Sequence, residues 1–157
     1  MRYYMIDRIT DFVAGEKAMG LKAVSYESDL LHDHFPEFPV MPGALLVESM
    51  AQLSGFLIEM SLNTKQQLRR ALLVKIDEAK FHSLAEPGDC LVVEARMGDR
   101  MDDAVRTTAL VTCSARKVAA ATLTFALKDI PISAIHEQRK VTYRVWTRSC
   151  PNMPEIL

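Results

Sequence analysis

Residues 32–62 decide the fold, and they read HDHFPEFPVMPG followed by ALLVESMAQLSGFLIEMSL. The first part contains three prolines, each of which fixes its own φ and disfavours helix at the residue before it. It therefore predicts a rigid, extended loop. Pro42 suits the first position of a helix, and residues 44–62 are good helix formers apart from Gly55. We expect the loop to lead directly into a long helix.

Apolar side chains surround the axis of this predicted helix on almost every side, a pattern typical of a helix buried in a protein core. Polar or small residues interrupt it at spacings of four, three and four: Glu48, Gln52, Gly55 and Glu59. Residues with this spacing share one face of a helix, so they form a narrow stripe. We expect only the N-terminal end of the stripe to bear on a functional site. The stripe also makes the segment too polar to span a bilayer.

Strand-like segments rich in Val, Leu, Thr and Ala follow the helix and are separated by short turns. They cover residues 70–81, 89–97, 103–115 and 117–128, and a shorter strand is predicted earlier, over residues 21–27. Short turns between long strands predict an antiparallel meander. A sheet buries a single helix only by curling around it. The sequence therefore predicts an α+β protein with the hot-dog fold, in which a curled antiparallel sheet wraps one long buried helix.

The chain length of 157 residues is typical of one domain. Residues 1–130 are expected to form the hot-dog domain. Residues 131–157 are expected to be a C-terminal extension of unknown role, and they contain a strand-like segment, VTYRVW, at residues 141–146.

Composition and charge exclude several classes of protein. Apolar residues make up 49% and charged residues 25%, which is ordinary for a globular domain and argues against disorder. The net charge of −1 gives no overall field to attract nucleic acid or an acidic membrane. The three cysteines are odd in number and widely spaced, which argues against a disulfide framework. The first segment does not resemble a signal peptide, so a cytoplasmic location is expected. No metal-ligand spacing and no phosphate-binding loop is found, so neither a metal nor a cofactor is expected.

His34 and Glu48 are the candidate catalytic pair. A histidine is suited to act as a general base near neutral pH, and a buried glutamic acid is suited to act as a general acid. Burying a carboxylate costs several kcal/mol unless it is paired or neutralised, so an acid on a buried helix needs a partner or a role. Gln52 lies one turn further along the same face and is expected to hydrogen-bond Glu48. Gly43 lets a ligand approach the free amides at the helix start, which suit a carbonyl oxygen or an oxyanion.

Plain structural roles stay open for the same residues. A single histidine in a proline-rich loop is more often a packing or capping residue, and a single glutamate on a helix often points to solvent or pairs with an arginine. A base, an acid and an amide donor together favour proton abstraction next to a carbonyl, with loss of a leaving group.

The same stretch closely resembles the signature of the 3-hydroxyacyl-(acyl carrier protein) dehydratases of the FabZ/FabA type. Their pattern is H-F-P-x-x-P-V-M-P-G, then four residues, then an acidic residue, then x-M-A-Q. The matching positions are His34, Phe35, Pro36, Pro39, Val40, Met41, Pro42, Gly43, Glu48, Met50, Ala51 and Gln52. More diffuse similarity extends to YMIDRI at residues 4–9 and to KIDEAKFHSLAEPGDCLVVEARM at residues 75–97.

This resemblance implies a dehydratase that removes water from a 3-hydroxyacyl thioester on acyl carrier protein, without metal or cofactor. The product is a trans-2-enoyl thioester, made in the biosynthesis of fatty acids or related acyl chains. The resemblance gives the α-proton to His34, the departing hydroxyl to Glu48 and the thioester carbonyl to the amide of Gly43. Three further residues are expected to line the substrate site: Phe35, Pro42 and Gln52.

The resemblance also implies an assembly. In this family the histidine and the acid of one active site come from different subunits, so a homodimer is expected. In the FabZ branch, further assembly of three dimers into a hexamer is common. Glutamate at position 48 is the acid of that branch.

Two departures from the family pattern flank His34, because Asp33 and Glu37 stand where the family usually has glycine. They add two carboxylates that favour a protonated ring, and the loss of glycine can change the backbone. They keep open the alternative of a non-catalytic acyl-binding partner subunit. A second alternative is another enzyme on the same fold, a hot-dog thioesterase that hydrolyses the thioester, although the H-F-P…P-G…E-x-M-A-Q motif speaks against it. Scattered basic side chains, Arg70 among them, are expected to be mostly solvated surface, with a subset able to receive an acidic carrier protein.

Overall fold

A computed structural model of the chain describes residues 3–29, 31 and 34–157. The elements in chain order are β1 (Arg8–Val13), β2 (Lys17–Ala23), α1 (Gly43–Leu62), β3 (Arg69–Phe81), β4 (Cys90–Arg100), β5 (Ala104–Cys113), β6 (Arg116–Asp129) and α2 (Ser133–Thr147). The long helix and the strands predicted after it are confirmed, close to their expected bounds. The strand expected over residues 21–27 instead starts four residues earlier and ends at Ala23. Gly20 makes the start of this strand hard to predict, because glycine usually weakens a strand. Here glycine is favoured because a Cβ at this position would come within 3.0 Å of the Arg8 carbonyl oxygen on β1.

The strands form one antiparallel sheet in the order β1-β2-β4-β5-β6-β3. The pairing of β4 with β5 and of β5 with β6 confirms a meander for the last three strands. The meander prediction is wrong for β3, which pairs with β6 and lies at the edge of the sheet. α1 is the reason, because a helix of 20 residues is about 30 Å long and carries the chain across the sheet before β3 begins.

α1 occupies the centre of the fold, as expected for a hot-dog protein. It packs against β2, β3, β4, β5 and β6, and the side chains without solvent exposure include Met50, Leu53, Phe56, Leu57 and Ile58. By length and composition alone, α1 could cross a membrane. However, 61% of the apolar 18-residue segment within it is buried inside the protein. The surrounding sheet therefore accounts for its apolar surface.

The prediction of a strand at VTYRVW is wrong, because these residues lie in α2. The buried residues of α2 recur at helical spacing: Thr142, Tyr143, Trp146 and Thr147. Local preference favours a strand here, but the helical face that packs on the core decides the conformation. Trp146 also packs edge-on against Tyr4, with ring centroids 6.2 Å apart, so α2 holds the start of the described chain.

We expect a glycine-to-alanine substitution to have opposite effects on the melting temperature at Gly55 and at Gly98. A Cβ at Gly55 would meet nothing within 4 Å, whereas at Gly98 it would come within 2.9 Å of the Arg106 carbonyl oxygen. Because alanine is favoured over glycine inside a helix by about 1 kcal/mol, we expect Gly55→Ala to raise the melting temperature by about 2–4 °C. Gly98→Ala is expected to lower it, since two strand backbones must separate. Thermal denaturation checks both, and a lower melting temperature for Gly55→Ala would contradict the prediction.

Candidate active site

His34 lies half-buried in the proline-rich loop, where Val40 fixes its orientation. The His34 carbonyl oxygen accepts a hydrogen bond from Val40 N at 2.8 Å, and the ring Nδ1 lies 3.2 Å from Val40 O. A carbonyl oxygen only accepts hydrogen bonds, so this contact requires a hydrogen on Nδ1, and in the tautomer that carries its single hydrogen there Nε2 has the lone pair. The ring of Phe35 stacks on the imidazole, with centroids 4.4 Å apart. The loop therefore favours Nε2 as the nitrogen that accepts a proton in that tautomer.

The turn after His34 keeps a backbone that suits glycine. Glu37 has a φ of +63°, in the left-handed region that glycine adopts most easily. Phe35 and Phe38 close the turn by exchanging two backbone hydrogen bonds of 3.0 Å. Glu37 therefore adopts the conformation that a glycine would take and adds a carboxylate to this turn. Asp33, the other departure, lies outside the described residues.

Glu48 is held by Gln52, as the sequence predicts from their spacing. Gln52 Nε2 donates to Glu48 Oε1 at 2.8 Å and to the Tyr3 carbonyl oxygen at 2.9 Å, and Gln52 Oε1 accepts from Met5 N at 2.8 Å. Three partners fix the amide orientation, so Gln52 orients the carboxyl group. Burial and the charge of Glu48 raise the pKa of the Tyr3 hydroxyl.

The start of α1 carries free backbone amides. Within the part of the chain that the structure describes, the N–H groups of Gly43 and Ala44 have no hydrogen-bond partner. Pro42 is the N-cap rather than the first helical residue, because its ψ of 138° is extended. A Cβ on Gly43 would come within 3.0 Å of the Phe81 ring, so the close packing of this ring favours glycine. The two amides are placed to bind a carbonyl oxygen or an oxyanion.

The polar stripe of α1 faces a groove of about 260 Å³, which we call the stripe groove. Its lining includes Glu48, Gln52, Gly55 and Glu59 from α1, and Leu72 and Leu73 from β3. Neither His34 nor Gly43 lines it. Among the described residues of one chain, Glu48 and Gln52 therefore lie together in the groove, whereas His34 is not part of its lining.

The far end of the stripe holds a buried ion pair that sequence reasoning does not find. Glu59 Oε2 accepts hydrogen bonds from Arg70 Nη1 at 2.6 Å and from the Tyr143 hydroxyl at 2.7 Å, and Glu59 Oε1 accepts from Ala71 N at 3.0 Å. Arg70 is only 3% exposed, so the expectation that it belongs to the solvated surface is wrong. Burial, and then the charge of Glu59, raise the pKa of Tyr143 well above its usual range. The available signal was the acid on a buried helix, which needs a partner.

His136 completes this cluster from α2. Its Nε2 lies 2.8 Å from the Ile130 carbonyl oxygen, and its Nδ1 accepts from the Arg70 guanidinium at 2.7 and 3.1 Å. The carbonyl only accepts and the guanidinium only donates, so His136 is a neutral ring with its hydrogen on Nε2. The cluster fastens α1, β3 and α2 to one another.

The site offers acid–base chemistry from its own side chains. The chain supplies a histidine ring nitrogen, a carboxyl group fixed by an amide, and free backbone amides at a helix start, but in one chain neither His34 nor Gly43 lines the groove of Glu48. Within residues 3–29, 31 and 34–157, no three His, Cys, Asp or Glu side chains are grouped to hold a metal ion. These groups suit proton transfer next to a carbonyl.

Comparisons with known proteins agree with this chemistry. The FabA-like domain model matches residues 1–121. The 3-hydroxyacyl-[acyl-carrier-protein] dehydratase FabZ of Bacillus velezensis is 34% identical over 127 residues, which cover 81% of this chain and 89% of the relative. FabZ of Listeria monocytogenes serotype 4b is 33% identical over 129 residues, covering 82% and 88%. The structure of smu.793 from Streptococcus mutans, bound to acetyl-CoA, superposes with a TM-score of 0.65 at 19% identity, covering 82% of this chain and 93% of that one.

Proposed function

Because the chain belongs to the FabA-like family, we propose that it is a dehydratase acting on 3-hydroxyacyl chains bound as thioesters to acyl carrier protein. It removes water to give a trans-2-enoyl thioester, in fatty acid or related acyl-chain biosynthesis. The observation that carries the proposal is the Gln52–Glu48 hydrogen bond on α1, directly after the H-F-P…P-G loop.

The proposed reaction assigns one step to each group. His34 Nε2 takes the α-proton from C2 of the acyl chain, and the electron pair of that C–H bond forms the C2–C3 double bond. Glu48, protonated, gives its proton to the C3 hydroxyl, and the C3–O bond breaks to release water. The amide of Gly43 binds the thioester carbonyl, which gains negative charge as the proton leaves. Phe35, Pro42 and Gln52 complete the proposed substrate site.

A homodimer is part of the proposal. In one chain His34 does not line the groove that holds Glu48, so a shared site requires a second subunit. β3 is an edge strand whose side chains Leu72, Val74 and Ile76 are 41%, 60% and 49% exposed. Exposed apolar side chains on a long edge strand favour pairing with another chain, which supports β3-to-β3 association. Further assembly into a trimer of dimers belongs to the same proposal.

The cellular setting is proposed on similar grounds. Acyl carrier protein is the carrier named for the relatives, and a cytoplasmic location fits the three cysteines, which are all free. Coenzyme A is the alternative carrier that an experiment must compare.

The test is hydration of trans-2-enoyl thioesters, the reverse reaction. Purified protein is mixed with a short and a medium enoyl chain, each on acyl carrier protein and on coenzyme A, and loss of the conjugated enoyl absorbance is followed. Faster loss on acyl carrier protein is expected. Release of free thiol without hydration would replace the proposal with a thioesterase, and no change on either carrier would favour a non-catalytic acyl-binding subunit.

Subunit complementation tests the shared site. We expect His34→Ala and Glu48→Gln each to be inactive alone, and a mixture unfolded and refolded together to regain activity. A mixed dimer contains one site with both native residues, if each site draws on two subunits. No recovery in a mixture shown to contain mixed dimers would place both groups within one subunit.

A further inference from the structure

The C-terminal helix α2 contributes to the same groove as Glu48. The FabA-like match ends at residue 121, so it does not cover α2 (Ser133–Thr147). Arg139 and Tyr143 of α2 nevertheless line the stripe groove. This part of the wall is therefore a feature of this chain that the family match leaves unassigned.

We propose that α2 is a specificity element of the active site: Tyr143, locked against Glu59, closes the far end of the stripe groove and limits the length of the acyl group. The inference rests on the proposed function and deepens it. It makes the preferred substrates thioesters of short or medium acyl chains.

The lining of the stripe groove runs along α1 from Glu48 to Glu59. Glu59 lies eleven positions after Glu48 on α1, which corresponds to about 16 Å along the helix axis. Between them the lining is open at Gly55, where a Cβ would meet nothing within 4 Å, and apolar at Leu72 and Leu73. A cavity of about 150 Å³ holds benzene, so the groove of about 260 Å³ has room for a larger but still limited hydrocarbon group.

The far end is a wall between two spaces. Glu59 and Tyr143 line the stripe groove and also a second cavity of about 250 Å³, whose lining includes Met60 and Asn63. The two side chains therefore form the partition. Removing the Tyr143 ring would join the two spaces and lengthen the site.

This wall resists displacement. Tyr143 is 3% exposed, its hydroxyl donates to Glu59 at 2.7 Å, and its ring packs edge-on against Phe56 with centroids 5.0 Å apart. Glu59 is itself paired with Arg70. An alkyl chain that pushed past this point would separate a buried ion pair and leave charges without partners, which is costly. Arg139 beside it adds a guanidinium that an alkyl chain would have to desolvate.

The test measures hydration across trans-2-enoyl thioesters from butenoyl to hexadecenoyl, comparing the wild type with Gly55→Leu and Tyr143→Leu. We expect the wild type to lose kcat/KM sharply beyond one chain length. Gly55→Leu fills the groove and is expected to move that limit to shorter chains. Tyr143→Leu opens the wall and is expected to raise kcat/KM for the first rejected chain about tenfold or more, the usual effect of one methylene in an apolar pocket. Val145→Ala, an exposed change on α2, is the control with an unchanged profile.

The ratio of kcat/KM between chain lengths separates specificity from folding, because loss of folded protein lowers every length equally. If Tyr143→Leu does not fold, Gly55→Leu decides, since its side chain enters open space. Identical length profiles in the wild type and the folded variants would overturn the inference while leaving the dehydratase intact. A wild type inactive on every chain length would instead overturn the proposed function.

Discussion

Replacing His34 with alanine is expected to lower dehydratase turnover by about a hundredfold to ten-thousandfold, the usual contribution of a general base. Glu48→Gln is expected to do the same by removing the proton donor while keeping the hydrogen bond with Gln52. Both losses should fall mainly on kcat, because the groups act on the reacting atoms rather than on the acyl chain. Enoyl hydration at saturating thioester measures the effect directly.

Folding controls make this result interpretable. His34 lies on a loop and Glu48 is only partly buried, so both variants should retain the circular dichroism spectrum of the wild type. His82→Ala changes an exposed histidine outside the groove and should keep full activity. Wild-type turnover in either active-site variant would remove that residue from the mechanism.

Among the substitutions considered, Arg70→Met is expected to lower the free energy of unfolding most. Arg70 and Glu59 are 3% exposed each, and removal of one partner leaves the other charge buried without compensation. Breaking a buried pair in this way costs about 3–5 kcal/mol of unfolding free energy. Urea denaturation followed by circular dichroism measures it. Lys80→Met, which breaks an exposed ion pair with Glu78 on the same strand, is the matched control and should have little effect.

A double variant identifies the cause of the loss. Glu59→Gln removes the orphaned charge and keeps an oxygen that can accept from Ala71 N or the Tyr143 hydroxyl. We therefore expect Arg70→Met with Glu59→Gln to be more stable than Arg70→Met alone. A double variant less stable than that single variant would show that lost packing, rather than uncompensated charge, dominates.

Local patterns in the sequence predict the central part of the molecule well. The helix, its polar stripe and the Gln52–Glu48 hydrogen bond follow from spacing along one element, and spacing on a helix fixes which side chains meet. The strands after it follow from their composition and turns. The start of β2 is the exception, because Gly20 serves a close approach between strands that only the partner strand reveals.

Tertiary placement explains what the sequence does not predict. The position of β3 in the sheet depends on where the end of the long helix α1 lies, and no local sequence pattern predicts this. α2 carries strand-favouring residues, but its buried face selects a helix. Arg70 is one of 19 basic residues, and nothing near it in sequence indicates that Glu59, eleven residues earlier, is its partner. The active-site pair is likewise divided, since the groove of one chain contains Glu48 without His34.

The cluster around Glu59 links two regions of the chain in evolution. A carboxylate at this depth is tolerated because Arg70 and Tyr143 both donate to it, and Tyr143 belongs to a helix beyond the family match. In a homologue that lacks the extension, the carboxylate would lose one donor and the cover that α2 provides. Position 59 should therefore be acidic only in homologues that also keep a hydrogen-bond donor at position 143. Homologues that gain or lose the C-terminal helix α2 should accordingly differ in the residue at position 59, deep in the central helix α1.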